Sequence, residues 1–413
     1  MNGPVVYIAA SFPKLSETFV YREVLGLRAA GVDVPVVSVN ASSDDMQDAA
    51  LEALKAEVIP LYGAGGGALA RDALGELAAH PWRAMGTLAE GLRLSLTTDD
   101  LRGLTARAKT LFQAFASLAL ARRLRPIRPS LLHAHMAHVP ATVALFTARQ
   151  LGIPFSFTGH AADLFRDRAL LAVKLRRAAF VNCISTWHCE FYRQLVPRTD
   201  ADYPVVRCGV DPAEFPPRVP RTDGVVRLLA TGRLVRKKGF DILLEALAAP
   251  VLRDLPWQLR LIGDGPERDA LQAQAAAHPC AGRICLAGAM ANEAVRREMI
   301  DADVFALPCC IAGDGDRDGI PVVLMEAMAA GATVISGDLP AIRELIEDGR
   351  SGLMVAPGKT DALAAALASL CTDSARRQAL AEGGRLAVSR EFALGVNIAR
   401  MVNNISSHER GPR

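Results

Sequence analysis

Short apolar, β-branched runs alternate with segments of helical periodicity along almost all of this 413-residue chain. This alternation is typical of parallel sheets covered by helices, because strands buried on both faces are almost continuously apolar. The chain is also too long for one hydrophobic core, since such cores stop growing at about 250–300 residues. We therefore predict an α/β protein with two doubly wound, Rossmann-like domains.

The alternation is interrupted at FPPRVPRTDG, where prolines and a glycine can continue neither a strand nor a helix. We predict an N-terminal domain over 1–212, a linker over 213–224 and a second domain over 225–388. Residues 389–413 are predicted as a C-terminal helix and tail, for which packing back on the first domain is one option. Predicted strands of the first half are PVVYIAA, DVPVVSV, LLHAHM, PFSFTGH, AFVNCIS and YPVVRCG, and GAGGGA is predicted to be a linker.

The overall charge indicates no nucleic-acid partner, because the formal net charge is only +3. The first residues lack a signal-peptide pattern, and no apolar run is long enough to span a bilayer, so we expect a cytoplasmic protein. Residues 101–128 contain seven Arg and Lys residues and no acid. Two interpretations stay open for them: a surface helix with a solvated basic face, and a basic amphipathic helix on the inner face of the cytoplasmic membrane.

The segment DGIPVVLMEAMAAG predicts a helix start that binds an anion. Pro321 suits the first turn of a helix, Gly319 allows close approach of the backbone, and Gly331 suits the helix end. The helix start formed by Gly319, Ile320, Pro321 and Val322 would face a phosphate with its unpaired N–H groups, of which Pro321 has none.

Cations that suit such a phosphate occur in TGRLVRKKGFD. Arg233 follows a predicted strand, and Lys238 precedes Gly239 and a predicted helix. Arg provides a planar fork of donors and Lys a point charge, and both bind phosphate oxygens. For Arg236 and Lys237, a solvated loop charge is an equally good interpretation.

The strings GRLVRKKGFDILLEAL, LIGDGPE, DGIPVVLMEAMAAGATVISGD and IEDGRSGLMVAPG resemble the C-terminal domain of the family 4 retaining glycosyltransferases, which have the GT-B architecture with two domains facing a central cleft. In the first half, SFPKLSETFVYREVLGLRAAGVDV, HAHMAHVPA and TGHAADLF resemble the branch of that family that builds bacterial exopolysaccharides, including colanic-acid-type enzymes. The resemblance covers nearly the whole chain. It implies that the first domain binds the acceptor and the second the nucleotide-sugar.

The resemblance also implies roles for single residues. Arg233 and Lys238 match the pair that binds the nucleotide diphosphate. Asp318 and Glu326 match the two acids of the E-x7-E element, which implies that Glu326 binds ribose hydroxyls and Asp318 the donor-sugar hydroxyls. Asp318 departs from the commoner Glu and is one methylene shorter.

The loop after the first strand also departs from the pattern. Many members have paired glycines there, whereas this chain has Leu15-Ser16-Glu17-Thr18. One interpretation is that Ser16, Glu17 and Thr18 contact acceptor hydroxyls, and the other is that Ser16 caps a helix beginning near Thr18. His160 and Asp163, after another predicted strand, are expected on the acceptor side as well.

The segment HAHMAH holds three histidines, His133, His135 and His138, and raises the question of a metal site. The metallohydrolase pattern H-x-H-x-D-H has an acid where this chain has Ala137, and alanine cannot coordinate a metal. We therefore predict no metal. Alternation along a strand puts His133 and His135 on one face, and the resemblance implies that His135 contacts the donor sugar, while His138 is expected at a helix start.

The predicted reaction is transfer of a sugar from a nucleotide diphosphate-sugar to a saccharide or lipid-linked acceptor, with retention at the anomeric carbon and without a cofactor. The cations and helix amides would stabilise the leaving group. Two alternatives are a nucleotide-sugar epimerase of the same architecture and an inactive nucleotide-binding scaffold.

Overall fold

The computed structural model describes residues 3–14, 17–42, 49–160, 168–216 and 224–409. The chain divides into two compact units, Met1–Val206 with Ile398–Arg413, and Arg207–Asn397. Residues 217–223, the greater part of the predicted linker, lie outside the described residues. In the described part of the chain, no helix has the length and apolar character needed to cross a membrane.

The first unit contains a parallel sheet of six described strands in the order β3-β2-β1-β4-β5-β6. These strands are β1 (Val5–Ser11), β2 (Val36–Asn40), β3 (Ile59–Pro60), β4 (Leu131–His135), β5 (Phe155–Gly159) and β6 (Val181–Cys183). The helices around it are α1 (Thr18–Ala29), α2 (Ala49–Ala56), α3 (Gly66–Ala79), α4 (Pro81–Thr97), α5 (Gly103–Leu124), α6 (Val139–Leu151), α7 (Leu171–Arg177) and α8 (Thr186–Leu195). All residues of β4 and β5 are buried, as expected for strands covered on both faces.

The second unit contains another parallel sheet, in the order β12-β11-β10-β7-β8-β9. Its strands are β7 (Val226–Thr231), β8 (Trp257–Ile262), β9 (Ile284–Gly288), β10 (Val304–Leu307), β11 (Thr333–Gly337) and β12 (Leu353–Val355). Its helices are α9 (Phe240–Leu247), α10 (Arg268–Ala276), α11 (Asn292–Asp301), α12 (Val322–Ala330), α13 (Thr360–Thr372) and α14 (Ser374–Ala387), and α15 (Leu394–Glu409) begins here and continues into the first unit. The predicted fold class is confirmed.

Two local predictions for the first half are wrong, and one short strand was missed. The predicted strand YPVVRCG is reduced to a single bridge between Val205 and Cys183, since Pro204 has no N–H for a sheet ladder. The predicted linker GAGGGA contains the start of α3 at Gly66, and the short strand β3 was not predicted.

The basic segment 101–128 is mostly helix α5, and its cations differ in their surroundings. Arg123 pairs with Asp72 at 2.8 Å, and Arg125 pairs with Glu76 of the same neighbouring helix α3. The interpretation as one solvated basic face is therefore wrong for the carboxyl-terminal end of the segment, because α3 neutralises these two arginines.

In both sheets the strand order reverses at one point. In the first, successive strands run outward from β1 on one side and from β4 on the other, and in the second from β7 and from β10. In open parallel sheets, ligands bind beyond the carboxyl ends of the strands at such a point.

Candidate functional site

Polar side chains of the second unit converge where the strand order of its sheet reverses, between β7 and β10. The segment after β7 carries Arg233, Lys237 and Lys238, and the segment after the neighbouring strand β10 carries Cys309 and Asp318. The two segments meet because the carboxyl ends of parallel strands lie at the same edge of a sheet.

Lys238 and Asp318 form the centre of this cluster. Nζ of Lys238 lies 2.8 Å from Oδ2 of Asp318, and 13% of each side chain is exposed. Burial by itself lowers the pKa of the Lys238 ammonium, but the Asp318 carboxylate reverses this and the pKa is raised. Burial raises the pKa of the Asp318 carboxyl, but Lys238 and Lys237 bring it below its usual value. Each charge therefore stabilises the other.

Lys237 belongs to the same cluster. Its Nζ lies 3.2 Å from Oδ1 of Asp316 and 3.5 Å from Oδ1 of Asp318, and its side chain is only 19% exposed. Arg236 is 69% exposed and pairs with Asp241 and Glu267. The interpretation as a solvated loop charge thus fits Arg236 and does not fit Lys237.

Arg233 differs from both lysines. It is exposed, and its guanidinium has no hydrogen bond or ion pair with any residue that the structure describes. It follows Gly232, where the loops after β7 and β8 approach so closely that a Cβ on Gly263 would lie 1.9 Å from the Gly232 carbonyl oxygen. Arg233 is therefore a cation open to a ligand at the end of β7.

Helix α12 begins at Val322, one residue later than predicted, and Pro321 precedes it with φ of −66°. Gly331 ends the helix with φ of 83°, as predicted. Among the described residues, several backbone N–H groups at this helix start have no acceptor: those of Gly319, Ile320, Val322 and Val323. Together with the positive end of the helix, these N–H groups form an anion-binding environment.

The two acids of the predicted pair lie on either side of this helix start. Asp318 precedes α12, and Glu326, whose residue is partly buried, lies one turn inside it. The N–H groups of the helix start therefore lie between the two acids in the sequence.

In the first unit, polar side chains gather beside Tyr7 of β1 and at the carboxyl ends of β4 and β5. Glu23 of α1 is central: its Oε1 accepts a hydrogen bond from the Tyr7 hydroxyl at 2.7 Å and lies 3.1 Å from Nε2 of His135. Nδ1 of His135 faces Nε2 of His160 at 3.4 Å, and Phe19 packs on the His160 ring. These side chains form a continuous polar chain from Tyr7 to His160.

This network shifts several pKa values. Burial by itself raises the pKa of the Glu23 carboxyl, but His135, His133 and the Tyr7 hydroxyl lower it to about 2. Burial, with Glu23 beside it, raises the pKa of Tyr7 well above its usual value. Burial and the neighbouring His135 hold the pKa of His160 well below its usual value. Glu23 is thus the fixed negative charge of the network.

The other two histidines have structural positions. His133 is fully buried, with Nδ1 2.8 Å from the Ser156 hydroxyl and Nε2 3.0 Å from the Thr158 hydroxyl, and burial lowers its pKa to about 3. His138 precedes α6 and its Nδ1 accepts a hydrogen bond from the Val139 N–H, so the prediction of a helix-start residue is confirmed.

Glu23, His133 and His135 could together hold a metal ion, since one ligand atom of each lies within 4.8 Å of the others. The sequence argument that no acid accompanies these histidines is therefore wrong, because Glu23 comes from a distant helix. The hydroxyls of Ser156 and Thr158 nevertheless engage both nitrogens of His133, and a metal would have to displace one of them.

The acceptor-side candidates are only partly described. Ser16 and Asp163 lie outside the described residues. Helix α1 begins at Thr18, as predicted, and the side chain of Glu17, the residue before it, makes no capping hydrogen bond and pairs with Lys14.

Sequence reasoning missed Tyr7, Glu23 and the pairing of Lys237. A signal for Glu23 was present: Phe19 and Glu23 are four residues apart on α1 and therefore share a face, beside the buried stripe of Val20, Val24 and Leu27. Glu23 meets His135 of the neighbouring strand β4.

Two family models match the chain. The model described as Glycosyltransferase Family 4 matches residues 97–214, and the model described as Glycosyl transferases group 1 matches residues 226–373. Each unit is thus matched by one model.

Curated relatives agree with these models. The putative colanic acid biosynthesis glycosyltransferase WcaL of Salmonella typhimurium is 28% identical over 88% of this chain and 89% of its own length. The amylovoran biosynthesis glycosyltransferase AmsK of Erwinia amylovora is 34% identical over 46% of each chain. These relatives favour a transferase over the epimerase and scaffold alternatives.

Solved structures share the fold. The Anabaena protein HepE, solved in complex with UDP and glucose, superposes with a TM-score of 0.69 at 17% identity, covering 98% of this chain and 100% of its own. Sucrose-phosphate synthase from Thermosynechococcus elongatus gives a TM-score of 0.75 at 18% identity, covering 99% of this chain and 100% of its own. With a Glycosyltransferase Family 4 model on the first unit, a Glycosyl transferases group 1 model on the second and the fold of these solved structures, the chain is a glycosyltransferase of the GT-B fold.

Proposed function

We propose that this glycosyltransferase transfers a sugar, with retention and without a metal, from a nucleotide diphosphate-sugar to a saccharide or lipid-linked oligosaccharide during exopolysaccharide synthesis. The relatives named for colanic acid and amylovoran biosynthesis support a role in exopolysaccharide synthesis. The HepE complex with UDP supports a donor in which the sugar is attached to a nucleoside diphosphate. A lipid-linked acceptor would bring the enzyme to the inner face of the cytoplasmic membrane.

The observation that carries the proposal is the cation and amide set at the end of β7 and the start of α12. Arg233 and the unpaired N–H groups offer positive potential, and Lys237 and Lys238 add two partly buried ammonium groups. A diphosphate placed there would be stabilised most as its charge develops, which lowers the barrier for loss of the leaving group.

The ion pairs of the ligand-free site imply an exchange on binding. Lys237 and Lys238 are matched by Asp316 and Asp318, so the four charges sum to zero. A diphosphate oxygen would replace the Asp318 carboxylate as the partner of Lys238. Asp318 would then be free to accept a hydrogen bond from a donor-sugar hydroxyl, while Glu326 would bind the ribose hydroxyls.

In the first unit, His135 is proposed as a polar contact of the reacting sugar. Glu23 accepts from Nε2 of His135 and so sets the tautomer and orientation of the ring, a common use of a carboxylate beside histidine. His160 and the start of α1 are proposed to contact the acceptor.

The test is sugar transfer after a thermal-shift screen of nucleotide sugars has found a donor, since a ligand that binds the folded state raises its stability. Lys238→Ala and Glu326→Ala should abolish transfer and weaken binding of the nucleoside diphosphate, with the circular-dichroism spectrum unchanged. Transfer at the wild-type rate in either variant would contradict the site assignment.

A further inference from the structure

The exposed apolar side chains of the described residues are concentrated on three helices. Eight of the thirteen large hydrophobic residues that are exposed lie in α3, α4 and α5, and two of them are almost fully exposed, Trp82 at 88% and Leu104 at 86%. Single exposed apolar residues are ordinary, but a cluster of this size marks an interaction surface.

Helix α4 has two separate faces. Its buried residues are Ala84, Thr87, Gly91, Leu94 and Ser95. A second set recurs at intervals of three and four residues and is exposed: Trp82, Met85, Ala89, Leu92 and Leu96. At about 100° per residue these five share one side of the helix, roughly opposite the buried side. We call this second set the α4 stripe.

The α4 stripe continues onto α5. The two helices are antiparallel neighbours, because Nη1 of Arg107 donates to the carbonyl oxygen of Leu96 and a Cβ on Gly91 would meet Ala114. The start of α5 exposes Leu104 next to the end of the α4 stripe. Exposed apolar side chains therefore extend from Trp82 along α4 to the beginning of α5.

The charges around this surface are mainly positive. Residues 81–109 contain five Arg and Lys residues and three acids, and no acid follows until after residue 128. Arg102 and Lys109 form no ion pair with the described residues, whereas the acid Glu90 is already paired with Arg93 and Arg177. The acids Asp99 and Asp100 lie in the connection between the helices.

We propose that the α4 stripe, with Leu104 of α5, lies in the interface of a bilayer containing anionic phospholipid. An apolar helix face flanked by Arg and Lys suits lipid tails and headgroups, and tryptophan is enriched at that boundary. Each cation near an anionic surface strengthens the attraction to it. The inference deepens the proposed function, which rests on a membrane-borne acceptor, and places the contact on α4 and Leu104 rather than over the whole of 101–128.

Vesicle sedimentation with the full chain tests this proposal. The wild type should sediment with vesicles of phosphatidylcholine and 30% phosphatidylglycerol, and less with phosphatidylcholine alone. Trp82→Gln with Leu96→Gln should lower the bound fraction at least tenfold. The control, Val251→Gln with Leu386→Gln, removes two exposed apolar residues elsewhere, 55% and 50% exposed, and should bind as wild type. Arg102→Gln with Lys109→Gln should weaken binding only to the anionic vesicles.

Two readouts separate this inference from the proposed function. Binding of UDP and GDP, measured by calorimetry, should be the same in Trp82→Gln/Leu96→Gln and wild type, because the site in the second unit is untouched. Absence of wild-type binding to both vesicle types would overturn the bilayer proposal and would not affect the transferase proposal. Concentration-dependent dimers that the same double variant abolishes would assign the surface to a second copy of the chain and overturn the proposal as well.

Discussion

Lys238 and Asp318 are joined by a 2.8 Å ion pair although eighty positions separate them in the chain. One stands at the end of the loop after β7, the other in the loop between β10 and α12, and the sheet makes β7 and β10 neighbours. The pair is buried, so breaking it without a replacement partner is costly. A ligand phosphate is such a replacement, and this makes the pair a sensitive point for mutation.

Asp318→Asn separates binding from transfer. It removes the anion that competes with a diphosphate for Lys238, so the Kd for the nucleoside diphosphate should fall several-fold. Transfer should drop by at least tenfold, because the proposed sugar contact is weakened. Calorimetry and an initial-rate assay measure the two effects. Asp318→Glu, which restores the commoner family residue, should recover part of the transfer. Weaker nucleotide binding by the Asn variant would contradict the exchange of partners at Lys238.

Arg233→Ala should raise the Kd for the nucleoside diphosphate by tenfold or more, because hydrogen bonds to charged groups contribute about 1.5–3 kcal/mol. Arg236→Ala is the matched control: it lies three residues away, is 69% exposed and already pairs with Asp241 and Glu267. Its Kd should stay within twofold of wild type. Equal losses in both variants would indicate a general charge effect and contradict a specific role for Arg233.

Glu23→Gln should change how stability depends on pH. The pKa of Glu23 is lowered from 4.5 to about 2 in the folded protein, so its carboxylate stabilises the fold above about pH 4.5 and loses that effect as pH falls toward 2. The wild type should therefore be more stable than the variant by up to about 3 kcal/mol at pH 5, and the difference should shrink by pH 3. Urea unfolding at both pH values measures it.

The control for that experiment is Glu57→Gln. Glu57 pairs with Arg28 at the surface and is 60% exposed, and such pairs contribute little. Its effect on the free energy of unfolding should be small at both pH values. A stability difference for Glu23→Gln that is the same at pH 5 and pH 3 would contradict the assignment of Glu23 as the fixed charge beside His135.

His135→Ala should lower transfer strongly, whereas His138→Asn should not, because asparagine can still accept the hydrogen bond at the start of α6. Extensive dialysis against a chelator should leave wild-type transfer unchanged. Loss of transfer on chelation, restored by zinc, would instead assign Glu23, His133 and His135 as metal ligands.

Much of the fold and part of the site follow from the sequence alone. The six strands of the second unit were predictable, because each is a short apolar run bounded by glycine, proline or charge. Helix α12 was predicted to within one residue, since Pro321 and Gly331 suit only the start and the end of a helix. The family resemblance rests on motifs that contain Arg233, Lys238, Asp318 and Glu326.

Only the tertiary structure decided which side chains meet. The sequence left the role of Lys237 open because its partners, Asp316 and Asp318, are contributed by the loop after another strand. Glu23 was overlooked because its partners Tyr7 and His135 belong to two strands that become neighbours only in the sheet. The α4 stripe could not be recognised from the sequence either. Periodicity identifies an apolar helix face, but only the structure shows that no described part of the chain covers this face. The local sequence determines the helices and strands, whereas contacts between distant residues depend on the strand order and on packing.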